Sequence, residues 1–111
     1  EWWYDLEAPA TAIAYAEACG VPLKDARRRA TMAQQYGLIR GRATPGGVVY
    51  TSTPDLVWRW LSSRDEPETP GAIGKALRLA PEHVQRSLVW LADRGAAVAY
   101  EGGRALRWGA A

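Results

Sequence analysis

The chain has 111 residues, of which 48% are hydrophobic and 23% charged, a balance that indicates a folded globular protein and excludes a disordered tail. Its formal net charge of +2 is too small to indicate a nucleic-acid partner by itself, so the positions of the charges must decide that question. No apolar run approaches the ~20 residues of a membrane-spanning helix, and the acidic first residues do not resemble a signal peptide.

The residues with catalytic or metal-binding chemistry are few. The single cysteine, Cys19, cannot form an internal disulfide, which favours a reducing, cytoplasmic setting. Together with the single histidine, His83, it cannot supply a zinc site, and no glycine-rich phosphate loop followed by a helix and a lysine is present. We therefore expect no enzyme activity, no cofactor, no metal and no small-molecule substrate.

An internal repeat organises the chain. Residues 11–37 match residues 69–95 without a gap at an offset of 58, and most matched positions hold small or apolar side chains. The offset predicts two copies of one unit, in residues 1–52 and 53–111. The clearest matched pairs are Ala14 with Ala72, Ala18 with Ala76, Val21 with Leu79, Ala26 with Val84, Arg28 with Arg86, Ala33 with Leu91 and Gly37 with Gly95.

In the first copy, the pattern predicts a short helix over residues 12–19, a break at Gly20 and a longer helix over residues 22–36 that ends at Gly37. Strands are predicted over residues 38–42 and 48–52, joined by a turn with two glycines. Residues 1–7 allow only about two helical turns before a proline, so a full first helix is not expected. The inward side of the longer helix is predicted to carry Ala26, Ala30 and Ala33.

The second copy repeats this order after a linking helix predicted over residues 55–63, with Leu56, Val57, Trp60 and Leu61 on its apolar face. A short helix with Thr69 as its cap and Pro70 at its first position continues through residues 72–77 and precedes a longer helix that opens at residues 80–82 and ends at Gly95. Strands are predicted over residues 97–100 and 104–108. The inward residues of the longer helix are predicted to be Val84, Leu88 and Leu91.

The order of short helix, turn, longer helix, glycine and two-stranded wing resembles the winged helix-turn-helix family. In that family the longer helix often follows small-Pro-polar-polar-Val-polar-Arg-polar-Leu-x-x-Leu-x-x-x-Gly, and residues 80–95 follow it position by position. The resemblance implies a mostly α fold with small β elements (α+β), built as two winged helix-turn-helix units in tandem. It also implies DNA binding, although winged helices serve protein interfaces too.

In this family the outward face of the longer helix enters the major groove of DNA. At ~100° per residue, the first longer helix directs a basic and polar set away from Ala26, and the second directs a partly acidic set away from Val84. We therefore predict the first helix as the main reader and the second as subordinate. The sets are Lys24, Arg27, Arg28, Thr31 and Gln35 in the first, and Glu82, Gln85, Arg86, Val89 and Asp93 in the second.

Both predicted wings carry arginines, for which the resemblance implies contacts to the DNA backbone or the minor groove. The alternative is that they are solvated residues that discourage edge pairing of the strands. Trp58 and Trp90 are predicted to be largely buried, partly between the two lobes, and the alternative for them is a stacking platform for bases. The wing arginines are Arg40 and Arg42 in the first copy and Arg104 and Arg107 in the second.

The sequence thus predicts a module that reads double-stranded DNA, as part of a transcription regulator or of a replication, partition or mobile-element protein, associated with the nucleoid if bacterial. The rival hypothesis is a tandem winged-helix scaffold that binds another protein or a second copy. Structured RNA is a third option.

Overall fold

The computed structural model describes residues 2–6, 8–101, 103 and 106–111. This part of the chain forms an α+β fold with five helices and two antiparallel two-stranded sheets. None of its helices has the length and apolar character needed to cross a membrane. The elements are α1 (Ala12–Cys19), α2 (Leu23–Gln35), β1 (Ile39–Thr44), β2 (Gly47–Ser52), α3 (Thr53–Ser62), α4 (Pro70–Leu77), α5 (Pro81–Asp93), β3 (Ala97–Tyr100) and β4 (Arg107–Ala110).

The chain divides into two compact units, Glu1–Thr53 and Pro54–Ala111, called here the first and second unit. Predicted helix boundaries differ from the observed ones by one or two residues at several ends. The fourth strand covers Arg107–Ala110 and extends two residues past its predicted end, whereas residues 104 and 105 of the predicted strand lie outside the described residues.

The short helices α1 and α4 begin and end in the same way. Thr11 accepts a hydrogen bond from the Ala14 N–H, and Thr69 accepts one from the Ala72 N–H, both at 3.2 Å. Each cap satisfies one of the N–H groups that a helix start leaves without an intrahelical partner. Both helices end on a left-handed residue, Gly20 with φ 66° and Arg78 with φ 57°. The caps and stops lie 58 residues apart, as the repeat predicts.

The longer helices α2 and α5 have 13 residues each, again at the 58-residue offset. The inward residues predicted for both are confirmed as buried. Each helix is followed by a glycine with positive φ, Gly37 at 74° and Gly95 at 72°, a conformation that costs other residues more than glycine. After this turn, the Leu38 N–H donates a hydrogen bond to the Ala33 carbonyl at 2.9 Å, and the Ala96 N–H donates one to the Leu91 carbonyl at the matched position.

The two hairpins also follow the offset. Ile39 pairs with Ser52 in β1 and β2, and Ala97 pairs with Ala110 in β3 and β4. In each unit the segment before the short helix adds one isolated bridge to the second strand, Ala10 with Tyr50 and Glu68 with Trp108. These bridges were not predicted, and they tie the start of the helix pair to the hairpin.

The core of the first unit is aromatic. Trp2 to Asp5 form a turn instead of a helix, and Trp3 is buried against Tyr15 with ring centroids 5.0 Å apart and planes 1° apart. The helix α2 supplies only alanines to this core. Because alanine side chains are small, α2 leaves room for the two large rings. The buried members of the cluster are Trp3, Tyr15, Ala26, Ala30, Ala33 and Ile39.

The core of the second unit is mainly aliphatic and is filled by α5 itself. Val84, Leu88 and Leu91 occupy the positions that alanines hold in α2, and Leu61 of α3 stands where the first unit has Trp3. The other buried members are Val57, Ile73, Ala97 and Trp108.

The predicted burial of Trp58 is wrong, since this residue is 40% exposed. Val57 and Leu61 lie on the buried stripe of α3, and Trp58 follows Val57 by ~100° around the helix, which turns it toward solvent. Trp90 is half-buried, and the Arg94 guanidinium lies 3.5 Å from the centroid of its ring.

Close packing at Gly74 gives a test of the second unit. A Cβ atom at this position would lie 2.6 Å from the backbone oxygen of Leu79, which cannot move without disturbing the turn after α4. Gly74→Ala should therefore destabilise the protein by about 1–3 kcal/mol in urea denaturation followed by circular dichroism. Ala16 stands at the matched position of the first unit, and Ala16→Gly should cost only about 0.5–1 kcal/mol from lost helix propensity. A Gly74→Ala variant as stable as the parent would contradict the close approach.

Candidate functional site

The strongest difference between the two units is the charge of their longer helices. The helix α2 carries four basic residues and one acidic residue, whereas α5 carries one arginine and two acidic residues. The buried side of α2 consists of alanines, so all four bases lie outside the core. A concentration of positive charge on one helix is what a phosphate-rich or acidic partner would meet.

The five residues predicted for the outward face of α2 are all exposed. Arg28 lies 3.8 Å from Asp25, one turn earlier, and both side chains are solvated, so the pair contributes little and Arg28 remains able to bind a ligand. The Thr31 hydroxyl donates to the Arg27 carbonyl at 3.0 Å. Its proton is therefore engaged, and Thr31 presents its methyl group and lone pairs to a partner. The five residues are Lys24, Arg27, Arg28, Thr31 and Gln35.

Arg29 is a fourth basic residue of α2, and it was not among the predicted site residues. Its Nη1 donates to the Tyr15 hydroxyl at 3.1 Å, and this hydrogen bond is the main cause that raises the pKa of Arg29 above its ordinary value. This hydrogen bond ties the Arg29 guanidinium to the aromatic core. At ~100° per residue it lies beside the alanine stripe, about 60° from Ala26 and about 100° from Arg28, so it was not part of the predicted outward face.

A groove of about 460 Å³ lies along one side of α2, between this helix, the start of α1 and the β1–β2 hairpin. Of the predicted residues it includes Arg27 and Thr31, whereas Lys24, Arg28 and Gln35 lie outside it. The other lining residues are Thr11, Ala12, Ile13, Leu23, Gly46, Gly47, Val48 and Tyr50. The groove is thus apolar along the hairpin and basic along the helix.

The apolar wall of the groove, formed by Val48 and Tyr50, was not predicted. Val48 and Tyr50 alternate along β2, so they share one face of the hairpin, and Gly41 pairs with Tyr50 across the sheet. Strand alternation could have predicted that Val48 and Tyr50 point the same way. It could not predict that this face meets α2.

The arginines of the first hairpin point to its other face. Ile39 is buried, and alternation puts Arg40 and Arg42 opposite to it, with Thr51 and Val49 as cross-strand partners. Arg42 is exposed and Arg40 is half-buried. The structure therefore does not bring them into the groove with Arg27. In the second hairpin, Arg107 is exposed, and Arg104 lies outside the described residues.

In the second unit, Gln85 and Arg86 are exposed as predicted, with Glu82 and Asp93 exposed on the same helix. Val89 stands where the first unit has Thr31, and it is 46% exposed. The second hairpin differs in the same way, because Val98 and Tyr100 replace Arg40 and Arg42 at the matched positions. Both apolar residues are exposed.

No group of histidine, cysteine and carboxylate side chains suited to hold a metal ion occurs among the described residues. No protein-family model and no curated protein matches the chain. One solved structure, a conserved hypothetical protein from Chlorobium tepidum, is similar with a TM-score of 0.41 and 17% sequence identity, over 99% of this chain and 86% of that one. A similarity at this level assigns neither a fold nor a function.

The site depends on Trp3, because its ring contacts both Tyr15, which holds Arg29, and Tyr50, which lines the groove. Trp3→Ala should destabilise the first unit by about 3–5 kcal/mol, since it empties a large buried volume. Urea denaturation would measure the loss. Tyr36→Ala is the control, because Tyr36 is 61% exposed, and this change should cost about 1 kcal/mol or less. Equal effects of the two changes would show that the aromatic cluster does not support the site.

Proposed function

We propose that the chain is built of two winged helix-turn-helix units in tandem and that the first unit binds double-stranded DNA through the outward face of α2. The order of elements in each unit supports this proposal, with a short helix, a turn, a longer helix and a hairpin. The carrying observation is the exposed basic face of α2, which the matched helix α5 lacks.

The dimensions of α2 suit the major groove of DNA. Its 13 residues span about 20 Å, and a helix fits into a groove about 12 Å wide. Arginine can pair with the guanine edge through two hydrogen bonds, and glutamine can do the same with adenine. We assign base reading to Arg28 and Gln35, methyl contact with thymine to Thr31, and phosphate contact to Lys24.

Arg27 differs from the other bases because it lines the groove beside the hairpin. An apolar wall next to a cation suits a sugar–phosphate backbone, which presents apolar sugar carbons beside a charged phosphate. Arg40 and Arg42, on the opposite face of the hairpin, are assigned to backbone or minor-groove contacts.

The second candidate function is a scaffold that binds a protein. The observation in its favour is the second unit, where exposed Val89, Val98 and Tyr100 replace polar and basic residues at matched positions. This composition is closer to a protein interface than to a phosphate-binding surface. The two candidates concern different units and are compatible.

The binding test begins with a selection from random duplexes at two salt concentrations, followed by fluorescence anisotropy on the preferred duplex and a scrambled one. Arg28→Ala should cost about 1–3 kcal/mol on the preferred duplex and relax the preference at one base pair. Lys24→Ala should weaken binding to both duplexes alike and lower the salt dependence by about one phosphate contact.

Arg86→Ala is the matched control, because Arg86 occupies the position of Arg28 on the acid-flanked helix. It should change affinity less than Arg28→Ala does. A larger effect of Arg86→Ala would make the second unit the reader. Unchanged binding in all three variants would refute the DNA-binding proposal.

A further inference from the structure

The outward face of α5 carries a charge pattern that α2 does not have. Arg86 and Asp93 are exposed seven residues apart, which is close to two helical turns, so they lie on the same side of the helix. The exposed Val89 lies between them along the axis. Glu82, which is also exposed, lies one turn before Arg86 and outside the stretch from Arg86 to Asp93. Within that stretch, a basic residue at one end, an acidic one at the other and an apolar one in the middle make a face that can pair with itself.

We infer that this face of α5 binds the same face of a second copy of the chain, in an antiparallel helix pair that crosses between Val89 and Trp90. At the crossing, Val89 of one copy packs against the flank of Trp90 in the other. Trp90 is half-buried, and the Arg94 guanidinium of the same copy lies 3.5 Å from the centroid of its ring.

Charge complementarity argues for a second copy as the partner. Arg86 and Asp93 lie at equal distances from the crossing point, about 5 Å along the axis at a rise of ~1.5 Å per residue. In an antiparallel pair, Arg86 of each copy therefore faces Asp93 of the other. The two-fold symmetry of such a dimer makes this contact twice.

The helix α2 cannot form the same pair. The positions that match Arg86 and Asp93 are Arg28 and Gln35, and the position that matches Val89 is the polar Thr31. In the same arrangement, Arg28 of each copy of α2 would face the neutral Gln35 of the other, so no opposite charges would meet. Self-association is thus specific to the second unit.

The expected dimer is weak. A helix of 13 residues is about 20 Å long, so a pair of such helices buries less than the ~1,200 Å² of a standard interface. The dimer should therefore form in a concentration-dependent manner. If the first unit binds DNA as proposed, the dimer presents two copies of α2 to the DNA. Formation of the dimer does not itself require DNA.

Sedimentation velocity on the full chain without DNA, across a concentration series, tests the inference. The wild-type protein should pass from monomer to dimer. Asp93→Arg should raise the dissociation constant about tenfold or more, because each attraction becomes a repulsion at two symmetric positions. Arg86→Asp combined with Asp93→Arg should restore the dimer, since the swap rebuilds both pairs with reversed signs.

Gln35→Arg is the matched control in α2 and should leave the dissociation constant unchanged, with circular dichroism showing that each variant is folded. A wild-type protein that stays monomeric throughout the series would overturn the inference. So would a dimer that Asp93→Arg leaves intact, or one that the charge swap does not restore. Because no DNA is present, none of these outcomes bears on the proposed DNA binding.

Discussion

The alanine stripe of α2 is the constraint on which the first unit depends. Ala26, Ala30 and Ala33 are buried, so the helix meets its core with methyl groups, and the volume is supplied by Trp3 and Tyr15 from other segments. Close packing requires that a small side chain on one element be matched by a large one on another. The second unit has the opposite distribution of side-chain sizes, with the larger Val84, Leu88 and Leu91 on α5 and the smaller Leu61 in the place of Trp3. Because alanine suffices for its core, α2 keeps every long side chain outside, and four of those side chains are basic.

Much of the fold could be predicted from local sequence signals. The apolar periodicity of α5, the threonine caps at Thr11 and Thr69, and the glycines that end α2 and α5 act within one or two helical turns, so a single sequence displays them. The turn at Trp2 to Asp5 was not predicted, because its conformation is held by contact with Tyr15 and Tyr50, which lie far away in the sequence. The offset of 58 residues does place Trp3 on the buried Leu61, so the repeat contained this information where propensity did not.

The candidate site, like the fold, could be predicted only where local sequence signals specify it. The outward face of α2 follows from helix geometry once one inward residue is known, and its five predicted members are all exposed. The groove beside α2 depends on how the hairpin packs against the helix, which no local pattern specifies. Its walls therefore include Ile13, Val48 and Tyr50, and it excludes Arg28. Two local contacts also alter the chemistry of the face, the bond from Thr31 to the Arg27 carbonyl and the bond from Arg29 to Tyr15. Neither hydrogen bond can be predicted from the sequence, because a hydroxyl or a guanidinium has several partners within reach.

Comparison of the two units at matched positions separates what the fold needs from what it leaves open. The caps, the positive φ values and the first hairpin pair recur at the same offset, so these features belong to the scaffold. Apart from Arg28, which is matched by Arg86, the outward positions do not recur, since Lys24 is matched by Glu82, Thr31 by Val89 and Arg42 by Tyr100. The scaffold does not require any of these side chains, because all are exposed. The basic face in one unit and the mixed, partly apolar face in the other are therefore the observations on which the proposed DNA binding and the proposed self-association depend.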